Sequence, residues 1–154
     1  MGKVADEQMT GSDAMLLGRK TYDIFVGNDD PMAAYINVDK FVASRTMESA
    51  DWGNTTVIRD VATEVARLKD QSGGEIGVLG SSNLIQSLLK HDLIDEFRIW
   101  TFPIVLGTGK RLFGDGAAPV GLKLVDTKVS TTGVTMQTYE RAGKLQYGSL
   151  ALDS

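Results

Sequence analysis

The chain of 154 residues contains no cysteine and one histidine, His91. Without thiols there are no disulfides, no thiol catalysis and no cysteine-ligated metal, and a single imidazole cannot build a histidine-rich metal site. Long apolar runs are missing too: none approaches the roughly 20 residues that span a bilayer. Residues 1–7 lack the apolar centre of a secretory signal, so a cytoplasmic protein with no membrane partner is expected. Positive charge is in deficit, with 16 Lys and Arg against 20 Asp and Glu and a net charge of −4. That balance argues against a general nucleic-acid partner. An anionic ligand would have to be met by local cations, not by the field of the whole molecule. No repeat, charge block or low-complexity linker divides the chain, which reads as one domain over residues 1–154.

Glycine is abundant, at 17 residues, and its positions punctuate the chain. Residues 2–11 read as a short helix stopped by Gly11-Ser12. The run Ala14-Met15-Leu16-Leu17 is short, apolar and closed by Gly18, as in a buried strand. A helix opens near Thr21 and breaks at Gly27-Asn28-Asp29-Asp30-Pro31. A helical stretch at 32–37 leads to the strand Lys40-Phe41-Val42-Ala43. The β-branched run Thr55-Thr56-Val57-Ile58 is a further strand. Asp60 is the expected N-cap of a helix whose Val61, Val65 and Leu68 share one face. Residues 76–79 read as a buried strand ended by Gly80, and 82–90 as an amphipathic helix with Lys90 and His91 in its last turn. A strand around Phe97, Ile99 and Trp100 stops at Pro103. Residues 122–125 and 134–139, separated by Thr131-Thr132-Gly133, suggest an antiparallel hairpin. The expected class is α/β: a mixed, mostly parallel central sheet, helices on both faces and a C-terminal antiparallel hairpin.

Three strand ends share one logic. Leu17-Gly18-Arg19-Lys20-Thr21 sets a glycine, two cations and a hydroxyl between a strand and a helix. Glycine permits close backbone approach, helix-start amides point outward, and a guanidinium can clamp phosphate oxygens. Ala43-Ser44-Arg45 places a hydroxyl and a guanidinium just past another strand. Leu79-Gly80-Ser81-Ser82-Asn83 repeats the strand–glycine–helix arrangement with small polar residues. In open α/β sheets, ligands bind at the carboxyl ends of strands. None is specific taken singly: Gly-Arg-Lys-Thr alone is more often a turn with a solvated charge pair, Ser44-Arg45 is a weaker signal still, and Gly80-Ser81 alone can be a simple helix cap.

In order and context, the turns resemble the dihydrofolate-reductase-like superfamily, especially the reductase domain at the C-terminus of bacterial riboflavin-biosynthesis proteins. Met15-Leu16-Leu17-Gly18-Arg19-Lys20-Thr21-Tyr22 is similar to that family's Gly-Arg-x-Thr segment. Phe41-Val42-Ala43-Ser44-Arg45 is similar to its strand ending in Ser-Arg, and Val78-Leu79-Gly80-Ser81 to its glycine turn. Leu93-Ile94-Asp95-Glu96-Phe97-Arg98, followed by Pro103-Ile104-Val105-Leu106-Gly107-Thr108-Gly109-Lys110-Arg111-Leu112-Phe113, is the most distinctive match. The resemblance runs from residue 3 to about residue 148. It implies NADPH as cofactor, with Gly18, Arg19, Lys20 and Thr21 at its phosphates. It further implies Ser44 and Arg45 at the 2′-phosphate, and Gly80, Ser81 and Ser82 at the pyrophosphate. It implies hydride transfer to a small heterocyclic, pterin- or pyrimidine-like, substrate, and a homodimer.

Two departures qualify the resemblance. Relatives open with a further strand at the sheet centre, and nothing in residues 1–11 looks like one. The strands at 76–79 and 96–101 are then expected to pair with each other or to accept a strand from elsewhere. The glycine turn carries Ser81 where dihydrofolate reductases have a second glycine, joined by a cis bond. No catalytic acid is assigned. Asp95 and Glu96 point to opposite faces of a strand, and His91 reads as a surface residue complementing a helix dipole. Lys110 and Arg111 read either as substrate-anion ligands or as a solvated loop, and Trp52 and Trp100 as stacking platforms or core. The alternatives to a reductase are a non-catalytic or truncated NADPH-binding homologue and a structural or dimerisation module.

Overall fold

The structure, a computed structural model, describes residues 11–27 and 36–148. The helix expected at 2–11 and most of the stretch expected at 32–37 lie outside those residues. The chain divides into two compact units: one comprises residues 1–93 with Lys110–Asp115, the other Ile94–Gly109 with residues 116–154.

The first unit is built on a parallel sheet of four strands: β1 (Ala14–Gly18), β2 (Asp39–Ala43), β3 (Thr55–Ile58) and β4 (Ile76–Val78). Their spatial order is β3-β2-β1-β4. Three helices accompany them: α1 (Arg19–Gly27), α2 (Val61–Lys69) and α3 (Ser82–Lys90). The uninterrupted apolar run of β1 fits its position between β2 and β4, and Leu16 and Leu17 are at most 1% exposed. Met15, Leu17, Tyr22, Phe25, Val42 and Met47 share a core cluster, with Trp52 packed against it. Trp52 therefore takes the core reading. Its ring lies 6.0 Å from Tyr22 and 5.8 Å from Phe25, and the Lys40 ammonium sits 4.8 Å above it. Lys40 Nζ donates to the carbonyl of Val38 at 2.9 Å, which offsets part of the cost of its burial.

Asp60 caps α2 as expected: its carboxylate accepts from the Thr63 amide at 3.3 Å and the Thr63 hydroxyl at 2.9 Å. β4 departs from expectation, being half-buried rather than buried. It stands at the edge of the sheet, paired only with β1 among the described ladders. A Cβ on its Gly77 would come within 2.5 Å of Ser12 Oγ, so glycine lets the chain pass there.

The second unit is a three-stranded antiparallel sheet, β5 (Glu96–Thr101), β6 (Leu122–Val129) and β7 (Thr135–Arg141), in the order β5-β7-β6. The hairpin turn forms at 131–133, with Gly133 at φ 83°. Its amide donates to the Ser130 carbonyl at 3.0 Å. The expected mixed sheet is thus resolved into a parallel and an antiparallel sheet. β5 runs antiparallel beside β7 in register from Glu96↔Glu140 to Thr101↔Thr135. The expected pairing of β5 with β4 does not occur among the described ladders. Glu96 pairs with Arg98 two residues on, at 2.6 Å on the same face of β5.

Candidate functional site

The parallel register sets the site. Gly18 is level with Ala43, and Ala43 with Ile58, so β1, β2 and β3 end on one line. β4 continues it, with Val78 level with Leu16. Neighbouring strands lie about 4.8 Å apart, so four strand ends span about 14 Å along this edge. A cleft of about 900 Å³ opens there.

Of the residues singled out by sequence, Gly18, Arg19, Lys20 and Thr21 line it from the first turn. Ser44 and Arg45 line it from the second, and Ser81 and Ser82 from the start of α3. Gly80 is not among the lining residues. It adopts φ 57°, a left-handed conformation that costs glycine little, and packs beside Thr21. Ser81 follows in the same region at φ 51°. For a serine this is unusual, and its hydrogen bonds explain it. Ser81 Oγ accepts from the Gly18 amide at 2.9 Å and donates to the Leu79 carbonyl at 2.9 Å. Thr21 Oγ1 is 3.1 Å from Ser81 Oγ and accepts from the Ser81 amide at 3.2 Å. Ser81 Oγ is the donor toward Thr21 Oγ1 as well, so its one proton is shared between that oxygen and the Leu79 carbonyl. The two hydroxyls thus lock the first turn to the third. No cis peptide occurs among the described residues.

This lock leaves the start of α3 without a side-chain cap, because Ser81 makes no capping bond to the helix. The first amides of a helix have no intrahelical acceptors, and here they border the cleft. Ser44 is differently placed. Its hydroxyl oxygen accepts from the amides of Thr46 at 3.3 Å and Met47 at 3.1 Å, shaping the turn that carries Arg45. Arg19 Nε contacts both carboxylate oxygens of Asp23, at 2.7 and 2.9 Å. Both side chains are nearly half exposed, so the pair is weak enough for a stronger anion to displace it.

Sequence reasoning missed a fourth turn. Arg59 directly follows β3 and lines the cleft, as do Asp60 and Ala62 behind it. Its Nη1 donates to the Ser44 carbonyl at 3.0 Å, bracing the second turn from the third strand. The signal was available: a cation immediately past a β-branched strand and before an N-cap, as at the other strand ends. His91 and Lys110 also line the cleft, and both are solvent-exposed. Among the described residues the lining thus holds five Lys and Arg residues, one carboxylate (Asp60) and one histidine. Hydrogen bonds from the Thr63 hydroxyl and amide hold the Asp60 carboxyl below its usual range. It is ionised at neutral pH and is no proton donor. Among the described residues, no cluster of three or more His, Asp or Glu could hold a metal ion, and no helix is long and apolar enough to cross a membrane.

The RibD C-terminal domain profile matches residues 1–138. The chain belongs to this family. It is 33% identical over 141 residues to the uncharacterized protein YyaP of Bacillus subtilis (strain 168), covering 85% of this chain and 75% of that one. Its likeness to YwjB of the same organism is 34% over 117 residues, 75% of this chain and 67% of the relative. Among solved structures, it is similar to a protein from Shewanella sp. PV-4 provisionally assigned to riboflavin biosynthesis. There the TM-score is 0.74 at 31% identity, over 92% of this chain and 79% of the other. A pyrimidine reductase-like protein from Corynebacterium diphtheriae shares the fold, with TM-score 0.62 at 13% identity over 91% and 80% of the two chains. A reductase-like domain of the RibD type is therefore the coarse description of this chain.

Proposed function

We propose that the chain, as one nucleotide-binding domain, binds NADPH in the cleft at the strand ends and serves as a reductase of a small heterocyclic, pterin- or pyrimidine-like, substrate. The observation that carries this reading is electrostatic. A protein of net charge −4 gathers five cations against one carboxylate in a single cleft, beside an uncapped helix start. That donor set fits a ligand with phosphates at separated positions. When bound, the cofactor supplies the hydride; the protein supplies position and charge.

Within this reading each turn has a task. Arg45, with the Ser44 hydroxyl beside it, takes the 2′-phosphate as a planar fork. Arg59 holds the turn that presents them. Arg19 and Lys20 meet the pyrophosphate together with the amides at the start of α3. Thr21 and Ser81 act through their lock, with Gly80 supplying the left-handed turn before it, because the Ser81 hydroxyl proton is already engaged.

One observation favours a second reading, a binder without turnover. Among the described residues the one carboxylate lining the cleft is the ionised cap Asp60, so those residues offer no carboxylic acid there to protonate a substrate. The two readings separate in one experiment. NADPH oxidation is followed with a panel of pterins and pyrimidine derivatives, alongside NADPH binding to wild type. Binding with turnover supports the reductase, binding without turnover the second reading, and absence of binding contradicts both.

The same reading makes the protein cytoplasmic and homodimeric. Exposed apolar side chains in the second unit support a dimer, with Val105 98% and Leu106 77% exposed. Light scattering at micromolar concentration that returned only the monomer mass would contradict it.

A further inference from the structure

We propose that Lys110 is a nucleotide-phosphate ligand of the cleft and that Gln86 is the residue that positions it; this rests on the nucleotide-binding reading above. The segment Lys110–Asp115 groups with the first unit, although the chain on either side of it groups with the second. One side chain ties the segment to α3. Gln86 Nε2 donates to the Leu112 carbonyl at 2.7 Å and, more weakly, to that of Arg111 at 3.4 Å. Its Oε1 accepts from the Gly114 amide at 3.0 Å. Both ends of one amide are thus committed to a single loop. The approach is close: a Cβ on Gly114 would meet Gln86 Oε1 at 2.8 Å.

The position of Gln86 on α3 gives the loop its consequence. The next residue, Ser87, lines the cleft, as does Asn83 one turn earlier. A loop fastened at Gln86 therefore runs along the helix flank that borders the cleft, and its first residue, Lys110, joins the lining. The other four cations come from the ends of β1, β2 and β3. Among the described residues Lys110 is the one lining residue from beyond His91, and it adds charge from the α3 side. Its ammonium is a compact point charge on a flexible stem, suited to a phosphate that must be reached across solvent.

The test is a double-mutant cycle read by calorimetric titration with NADPH. Lys110→Gln is expected to weaken binding about three- to tenfold and to flatten its salt dependence, as befits an exposed charge. Gln86→Leu is expected to give a similar loss with little change in melting temperature. The combined variant should bind no more weakly than Lys110→Gln alone, because the two side chains act through one interaction. Lys110→Arg should retain most of the affinity.

Additive losses would show that Gln86 acts through general stability and overturn its positioning role. Unchanged affinity in Lys110→Gln, with wild type binding NADPH and Arg45→Ala weakened, would overturn the assignment of Lys110 and leave the cleft reading intact. Wild type failing to bind NADPH would overturn both.

Discussion

In the parallel unit Leu16, Leu17, Val42 and Ile58 are at most 1% exposed, whereas in the antiparallel unit seven of the eight residues of β6 are exposed. The parallel strands spend their side chains on a core, and their ends are fixed in register as a result. The polar turns inherit that precision, since a turn can hold a ligand only as well as its strand is held. The antiparallel unit buries Phe97, Val134 and Met136 but leaves most of β6 in solvent. Its strands are held by ladder hydrogen bonds more than by burial. The cleft therefore lies in the unit whose strands are fixed by burial.

The contrast is broken most directly by truncation. Leu17→Ala should cost about 2–5 kcal/mol in urea denaturation, whereas Val129→Ala on exposed β6 should fall within about 0.5 kcal/mol of wild type. Equal costs would show that burial does not distinguish the units. Next come the two arginines that flank the cleft. Arg45→Ala should lose about ten- to a hundredfold in NADPH affinity and little for NADH, while Arg19→Ala should weaken both nucleotides alike. A loss confined to NADPH in both variants would mean that the two turns do not divide the ligand as argued.

A smaller effect compares turn with turn. Ser81→Ala removes the acceptor of the Gly18 amide and the link to Thr21, and should cost about 1 kcal/mol. Ser130→Ala, at the exposed hairpin of the other unit, removes the acceptor of the Val134 amide and should cost less. Faster amide exchange at Gly18 in the first variant would locate the loss. The smallest effect is one of pH. The Asp60 carboxyl lies below its unfolded value of 3.8 because of its bonds to Thr63, so its contribution is full above that value. It disappears as pH falls through the lower folded value. Asp60→Asn should therefore flatten the acid limb of the stability curve and leave the alkaline limb unchanged.

Much of the parallel unit was legible because its signals are local. The apolar run before Gly18, the β-branched run at 55–58 and the Asp60 cap each announce an element within a few residues. The strand-end turns were legible for the same reason, and the register then brought them together. What escaped depended on contacts distant in sequence. Lys110 could be named as a candidate anion ligand, but its place beside the strand ends could not, since its loop is bonded to Gln86 on α3. The Thr21–Ser81 lock joins residues 60 apart, so two expected phosphate donors proved to be engaged with each other. The division into two sheets was also hidden, because strand pattern does not name a partner: β5 could be read as a strand, but its pairing with β7 could not. Arg59 is the instructive miss, a local signal overlooked at the end of β3, where the Asp60 cap beside it drew the reading instead.

The central claim is that the cleft recognises a reduced dinucleotide through Ser44 and Arg45 at its 2′-phosphate. Calorimetric titration of the wild-type protein with NADPH and with NADH under identical salt tests it most directly. The account predicts NADPH bound at least about tenfold more tightly, the gap expected of one charge-assisted phosphate contact. Equal affinities, or no heat from either nucleotide, would contradict it.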